Sequence, residues 1–134
     1  MRANTSDAMP FDVLDLLAVM VGVLHTVRKL DVMKRRGEDY PHVTREDFLD
    51  WQRQERAAYA MGSWASFLKL MLDPALLFLA PKLNLPGSLV RALGAIIDIG
   101  WAIIVTVAIL RAGKARRRRE ELGIVLGDPP SASG

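Results

Sequence analysis

The sequence predicts an all-α integral membrane protein of three transmembrane helices, and three observations predict it. Ala92 to Leu110 is a continuous apolar run with one ionisable side chain, Asp98. The run closes on a basic cluster, Arg111, Lys114 and Arg116 to Arg119. Two further apolar stretches, Phe11 to Val27 and Trp64 to Ala80, accompany it. With 51% hydrophobic residues and a mean hydropathy of +0.17, the chain has an apolar surplus for which lipid is the natural solvent. One membrane domain is expected, with spans near 11–27, 60–80 and 89–110, a cytoplasmic loop at 28–57 and a basic cytoplasmic tail at 111–134. The alternative is one span followed by a re-entrant hairpin.

The first stretch, Phe11 to Val27, has the minimum length for a crossing, with Asp12 and Asp15 near its start and His25 near its end. Its basic residues follow the apolar run and no A-x-A site comes after, so a retained span is expected and not a secretory signal peptide. Arg28 to Arg36 can prolong this helix, Gly37 to Val43 reads as a loop around Pro41, and Thr44 reads as the N-cap of the next helix. Phe48, Trp51, Tyr59 and Trp64 are expected in the headgroup layer. For Phe48 and Trp51, packing as aromatics of an ordinary surface helix is the competing reading.

The second stretch is the weakest. Its eight Phe and Leu residues contribute roughly −2 to −5 kcal/mol to insertion, against about 5 to 7 for Lys69 and Asp73. These two lie four residues apart on one helical face, where they can pair, and a neighbouring span is needed to carry the rest. Pro74 deprives the Leu70 carbonyl of its partner and predicts a kink. Pro81, Pro86 and Gly87 predict a tight turn over Pro81 to Ser88.

The third stretch, Leu89 to Leu110, is long enough to span without strain. Ten Leu, Ile and Val from Leu93 onward contribute roughly −3 to −6 kcal/mol, enough to insert Asp98 at about +3. Arg111 to Leu122 can continue the helix into water before Gly123, and Gly127 to Gly134 has the composition of a disordered tail.

Orientation follows from basic residues, which stay on the cytoplasmic side. Eight lie between Val27 and Ala57 and six between Arg111 and Arg119, against only Arg2 in the N-terminal decapeptide and Lys82 in the turn. The expectation is an external N-terminus and a cytoplasmic C-terminus, in the cell membrane, or the inner membrane of a bacterium.

Each span carries small and polar residues at spacings of three and four. They are Asp15, Ala18, Gly22, His25 and Thr26 on the first, Ala58, Gly62, Ser66, Lys69 and Asp73 on the second, and Arg91, Gly94, Asp98, Ala102 and Thr106 on the third. Helices in lipid associate through close approach at small residues and through interhelical polar contacts, so these faces are expected to turn inward together. Counted from the outer ends at about 1.5 Å per residue, Lys69 falls level with Asp73 and Asp98. An intramembrane cluster of these three is the expected site, as a fastener between helices, an ion or proton path, or a contact to a partner. Arg91, nearer the surface, snorkels.

Other chemistry is largely excluded. There is no Cys, and two His without ligand spacing leave no metal set. There is no glycine-rich phosphate loop and no G-x-S-x-G elbow, so no cofactor or catalytic group is expected and the chain reads as no enzyme. Arg116, Arg117, Arg118 and Arg119 run straight into Glu120 and Glu121 without interleaved aromatics, which argues against nucleic acid and for anionic lipid headgroups. Three functions follow. The chain is a structural or accessory subunit that associates through its small-residue faces with itself or a larger membrane complex. Alternatively it is a pore or ion and proton conductor, similar in layout to one class of phage holins though sharing no motif. The third is a membrane-shaping hairpin.

Overall fold

The computed structural model describes residues 12–126, so Phe11 and the tail from Gly127 lie outside the described residues. Three helices follow in order, α1 (Val13–Met33), α2 (Arg45–Lys82) and α3 (Gly87–Glu121), with a short 3-10 turn (Gly37–Asp39) between the first two. Both α1 and α3 pack along α2, while α1 and α3 scarcely touch. The molecule is thus an open row of three helices with α2 in the middle.

Local chemistry sets the helix ends. Asp12 and Asp15 form a capping box at the start of α1, each carboxylate accepting the other's backbone N–H. The Thr44 hydroxyl accepts the Asp47 N–H at 3.1 Å and starts α2. α2 ends at Asn84, in the left-handed region at φ 55°, where the Leu85 N–H reaches back to the Ala80 carbonyl and the Asn84 N–H to Pro81. α3 ends in the same motif at Gly123, φ 74°, with the Ile124 N–H on the Arg119 carbonyl and the Gly123 N–H on Glu120. The turn expected over Pro81 to Ser88 is therefore tighter, because α2 carries both Pro74 and Pro81 within its helix as far as Lys82.

Two helices, α2 and α3, are long and apolar enough to cross a membrane by length and composition. α1 is not among them, because Asp15 at its start and Arg28, Lys29 and Asp31 toward its end leave a charge-free run only from Leu16 to Val27. Large apolar side chains lie exposed on all three helices, among them Val23, Phe67, Phe78, Ile96, Ile103 and Leu110. Exposed apolar side chains in this number fit helices long and apolar enough to cross a membrane.

The helices are staggered. α1 begins two residues before Asp15, and Asp15 meets Lys69 of α2 and stands level with Asp98 of α3. Beyond that level α2 runs roughly 20 Å to Lys82 and α3 begins roughly 16 Å away at Gly87. The tip of the α2–α3 hairpin thus extends well past the start of α1.

At the opposite, basic end a small apolar core gathers Val32 of α1, Tyr40 of the loop, Phe48, Trp51 and Tyr59 of α2, Ala112 of α3 and Ile124 behind it. Phe48 packs against Trp51 with ring centroids 5.4 Å apart and stacks on Tyr40 at 5.8 Å. Phe48, Trp51 and Tyr59 are therefore core residues, not headgroup anchors, because the loop and the end of α3 fold over them. Trp64 alone of the four is exposed, edge-on to Phe67.

Candidate functional site

Lys69 stands in the second half of α2 with 1% of its side chain exposed. Its ammonium has three protons. They go to Asp73 Oδ2 at 2.6 Å, Asp98 Oδ1 at 2.7 Å and Asp15 Oδ1 at 3.1 Å, so that one cation joins a carboxylate from each helix. The Trp101 ring lies beside it, 5.9 Å from Nζ to the centroid, and donates its indole N–H to the buried Ser66 hydroxyl at 2.9 Å. Asp15 serves twice, since its other oxygen caps the Asp12 N–H.

The structure brings Lys69, Asp73 and Asp98 together and adds Asp15. Sequence reasoning put Asp15 on the inward face of the first helix but not in the cluster, since it placed Asp15 near the start of the first span and counted depth only along the other two. Three carboxylates around one ammonium leave a net negative charge when all are ionised. The side chain of Asp98 is 33% exposed.

Ala18, Gly22, Gly62 and Ser66 all lie in the α1–α2 seam or at its edge. A methyl group on Gly22 would stand 3.3 Å from Ser66 Cβ, and one on Gly62 would stand 2.5 Å from the His25 ring. His25 is held there by a 2.9 Å bond from Nδ1 to the Val21 carbonyl and by edge contact with Tyr59. Thr26 and Ser63 hydrogen-bond across the same seam at 2.7 Å.

On α3 the expected face is corrected. A methyl group on Gly94 would meet nothing within 4 Å, and Ala102 and Thr106 are exposed. The inward side instead runs Asp98, Trp101, Val105, Ala108, Ala112 and Ala115. Repeated steps of four advance about 40° each around a helix, so 94, 98, 102 and 106 wind away from α2, whereas alternating steps of three and four hold one side.

The four arginines are also divided. Arg119 Nε donates to Glu55 Oε1 at 3.2 Å and Arg118 bonds Asp47 at 3.3 Å, so these two fasten α3 to α2, while Arg117 faces outward and Arg116 is half-buried. Glu55, 1% exposed, also accepts the Trp51 indole N–H at 2.6 Å and the Tyr59 hydroxyl at 2.8 Å. Burial first, and the Glu55 carboxylate second, push the Tyr59 phenol above its usual range. Sequence reasoning passed over Glu55, although Trp51, Glu55 and Tyr59 are spaced four apart on one face.

Among the described residues no group of three or more His, Asp or Glu is arranged to hold a metal ion. Comparison with known protein families, with characterised proteins and with solved structures finds no match to this chain.

Proposed function

We propose that the chain is a small multi-pass membrane protein acting as a structural or accessory subunit of a membrane assembly, either of its own copies or of a larger complex. In this reading α2 and α3 cross the bilayer as a hairpin, with both basic segments inside and the turn at 83–86 outside. α1 lies along their inner half and reaches the Lys69 hub near mid-depth. An external N-terminus, the arrangement expected from charge alone, would require the residues before Val13 to carry the chain across the remaining outer half, roughly 16 Å.

The observation that carries this reading is the hub itself. All three ammonium protons are engaged by carboxylates, one per helix, which is the geometry of a fastener. The small faces of α1 and α2 are occupied within the chain, so association with other copies or subunits falls to α3, where Gly94 and Gly100 face open space. Small residues facing lipid permit the close backbone approach that joins helices there.

Single cysteines test the topology, since the chain has none of its own. An impermeant thiol reagent should label Ser88→Cys in intact cells, and Glu38→Cys only after the membrane is broken. The reverse pattern would place the turn inside, as a membrane-shaping wedge requires. Labelling of Ala3→Cys in intact cells would establish the third crossing. For assembly, Gly94→Leu should reduce the particle size of the detergent-extracted protein, and an unchanged size would remove α3 as the associating face.

A second reading, ion or proton passage, is favoured by the excess of negative charge at the hub and by the exposure of Asp98. It requires purified protein in liposomes to leak protons or cations, and Asp98→Asn to stop the leak. Liposomes that stay tight with the unmodified protein would eliminate it.

A further inference from the structure

A cavity of about 600 Å³ opens at the basic end, between the last turns of α1 and the facing parts of α2 and α3. Three cations, Arg28, Lys34 and Arg119, line it, with Tyr59 and Glu55 on the α2 side. Its two acids pair with two of these cations, Asp31 with Lys34 and also with Arg35, and Glu55 with Arg119. Arg28 makes no salt bridge among the described residues. The Arg35 guanidinium, behind the lining, bonds Asp31 and the Leu126 carbonyl and so adds a further positive charge beside the cavity. The cavity is therefore suited to an anion.

A second hollow, about 300 Å³ and largely apolar, follows the α1–α2 seam from Val27 to Ala18, past Val23 and Phe67. Val27 lines both spaces, so the end of the groove and the cationic cavity adjoin at that side chain. The only polar side chains on its wall, Thr26 and Ser63, satisfy each other at 2.7 Å. From Ala18 to Val27 the helix rises about 14 Å, which is close to the depth of one leaflet of a bilayer about 30 Å thick. A charged hollow at the membrane surface leading into an apolar groove one leaflet deep has the shape of a single lipid.

We propose that this end of the molecule holds one anionic phospholipid of the inner leaflet, with its phosphate on Arg28, flanked by Lys34, and one acyl chain in the seam between α1 and α2. The proposal rests on the membrane reading above, but on residues other than the outward Arg117 and on the partnering of α1 with α2 instead of on the hub. Basic pockets between membrane helices on the inner side recognise anionic headgroups by this combination of charge and depth. Bound there, the lipid would complete the open seam.

Native mass spectrometry of the detergent-purified full chain tests it, with phosphatidylglycerol and phosphatidylcholine as probes. The unmodified protein should retain one phosphatidylglycerol and no phosphatidylcholine. Arg28→Gln with Lys34→Gln should weaken retention about 30-fold, equivalent to about 1 kcal/mol for each cation removed. Val23→Trp, which fills the groove from an exposed position, should abolish retention although the cations remain. Equal retention of the two lipids, or undiminished phosphatidylglycerol on the double variant, would overturn the proposal. Displacement of the lipid by millimolar inorganic phosphate, or unchanged binding by Val23→Trp, would assign the cavity to a free phosphate and equally remove the lipid. Sedimentation of the same variants with carbonate-washed membranes reports the membrane reading separately. A chain found in the supernatant would end that reading, whereas a sedimenting chain without a bound lipid would end this one alone.

Discussion

Lys69 and Glu55 stand on the same helix, each about 1% exposed and each holding three partners, yet they solve opposite problems. At Lys69 a single cation faces three carboxylates, and the walls around it present apolar side chains outward. At Glu55 a single anion takes one arginine and two neutral donors, within a core of aromatic rings. The first node binds all three helices, with the Trp101–Ser66 hydrogen bond beside it. The second binds only α2 and α3, and shares its task with the packing of Phe48, Tyr40 and Ile124. The contrast indicates that polar bonding holds the middle of the molecule, while hydrophobic burial holds its basic end.

The sharpest way to break this comparison is Lys69→Met. It leaves three carboxylates facing one another without a counter-charge, and the cost is about 3–5 kcal/mol, the usual penalty of stripping one partner from a buried ion pair. Unfolding in detergent, followed by circular dichroism, should show the whole bundle losing its transition. A transition as high as that of the unmodified chain would mean the hub contributes no stability.

Glu55→Gln should cost less, about 1.5–3 kcal/mol, since the shape survives, the amide oxygen still accepts from Trp51, and the Tyr59 hydroxyl can turn to accept from the new NH2, while the charge toward Arg119 is lost. Its effect should stay local. Hydrogen exchange is expected to rise over Arg45 to Tyr59 and around Ala112 to Ile124 and to remain unchanged near Lys69; a rise spread evenly over α2 would dissolve the distinction between the two nodes.

Gly62→Ala lies between them and tests the seam. Its methyl group would stand 2.5 Å from the His25 ring, an overpacking worth about 1–3 kcal/mol. The same change in a His25→Ala background should cost much less, because the ring it meets is gone. An equal cost in both backgrounds would mean that His25 does not occupy that space.

The smallest effect is expected at Asp98→Asn. Two carboxylates still hold the ammonium and Asp98 is one-third exposed, so stability should change by no more than about 1 kcal/mol. A loss as large as that of Lys69→Met would show that all three carboxylates are required together.

Much of this was legible in the residues. Thr44 starts α2 and Gly123 ends α3 through bonds spanning a few residues, and such local rules read directly from sequence. Lys69, Asp73 and Asp98 could be brought to one depth by counting along two helices joined by a short turn, because the turn holds their relative level. Asp15 escaped that count, since the long link from Met33 to Arg45 leaves the level of α1 free and only contact with Lys69 sets it. Arg118 and Arg119 were legible as charge but not as partners of Asp47 and Glu55, which lie 71 and 64 residues away in sequence.

By itself the sequence determined that the chain is helical, broadly where its helices begin and end, and that α2 and α3 have the length and apolar composition to cross a membrane. These properties depend on backbone bonds four residues apart and on summed side-chain transfer energies, neither of which needs a neighbour. Tertiary structure alone decided the stagger of α1, the face that α3 turns inward and which arginines are consumed within the fold. Those depend on which side chains meet across helices, and a rotation of about 40° or a slide of a few turns alters them without changing any helix.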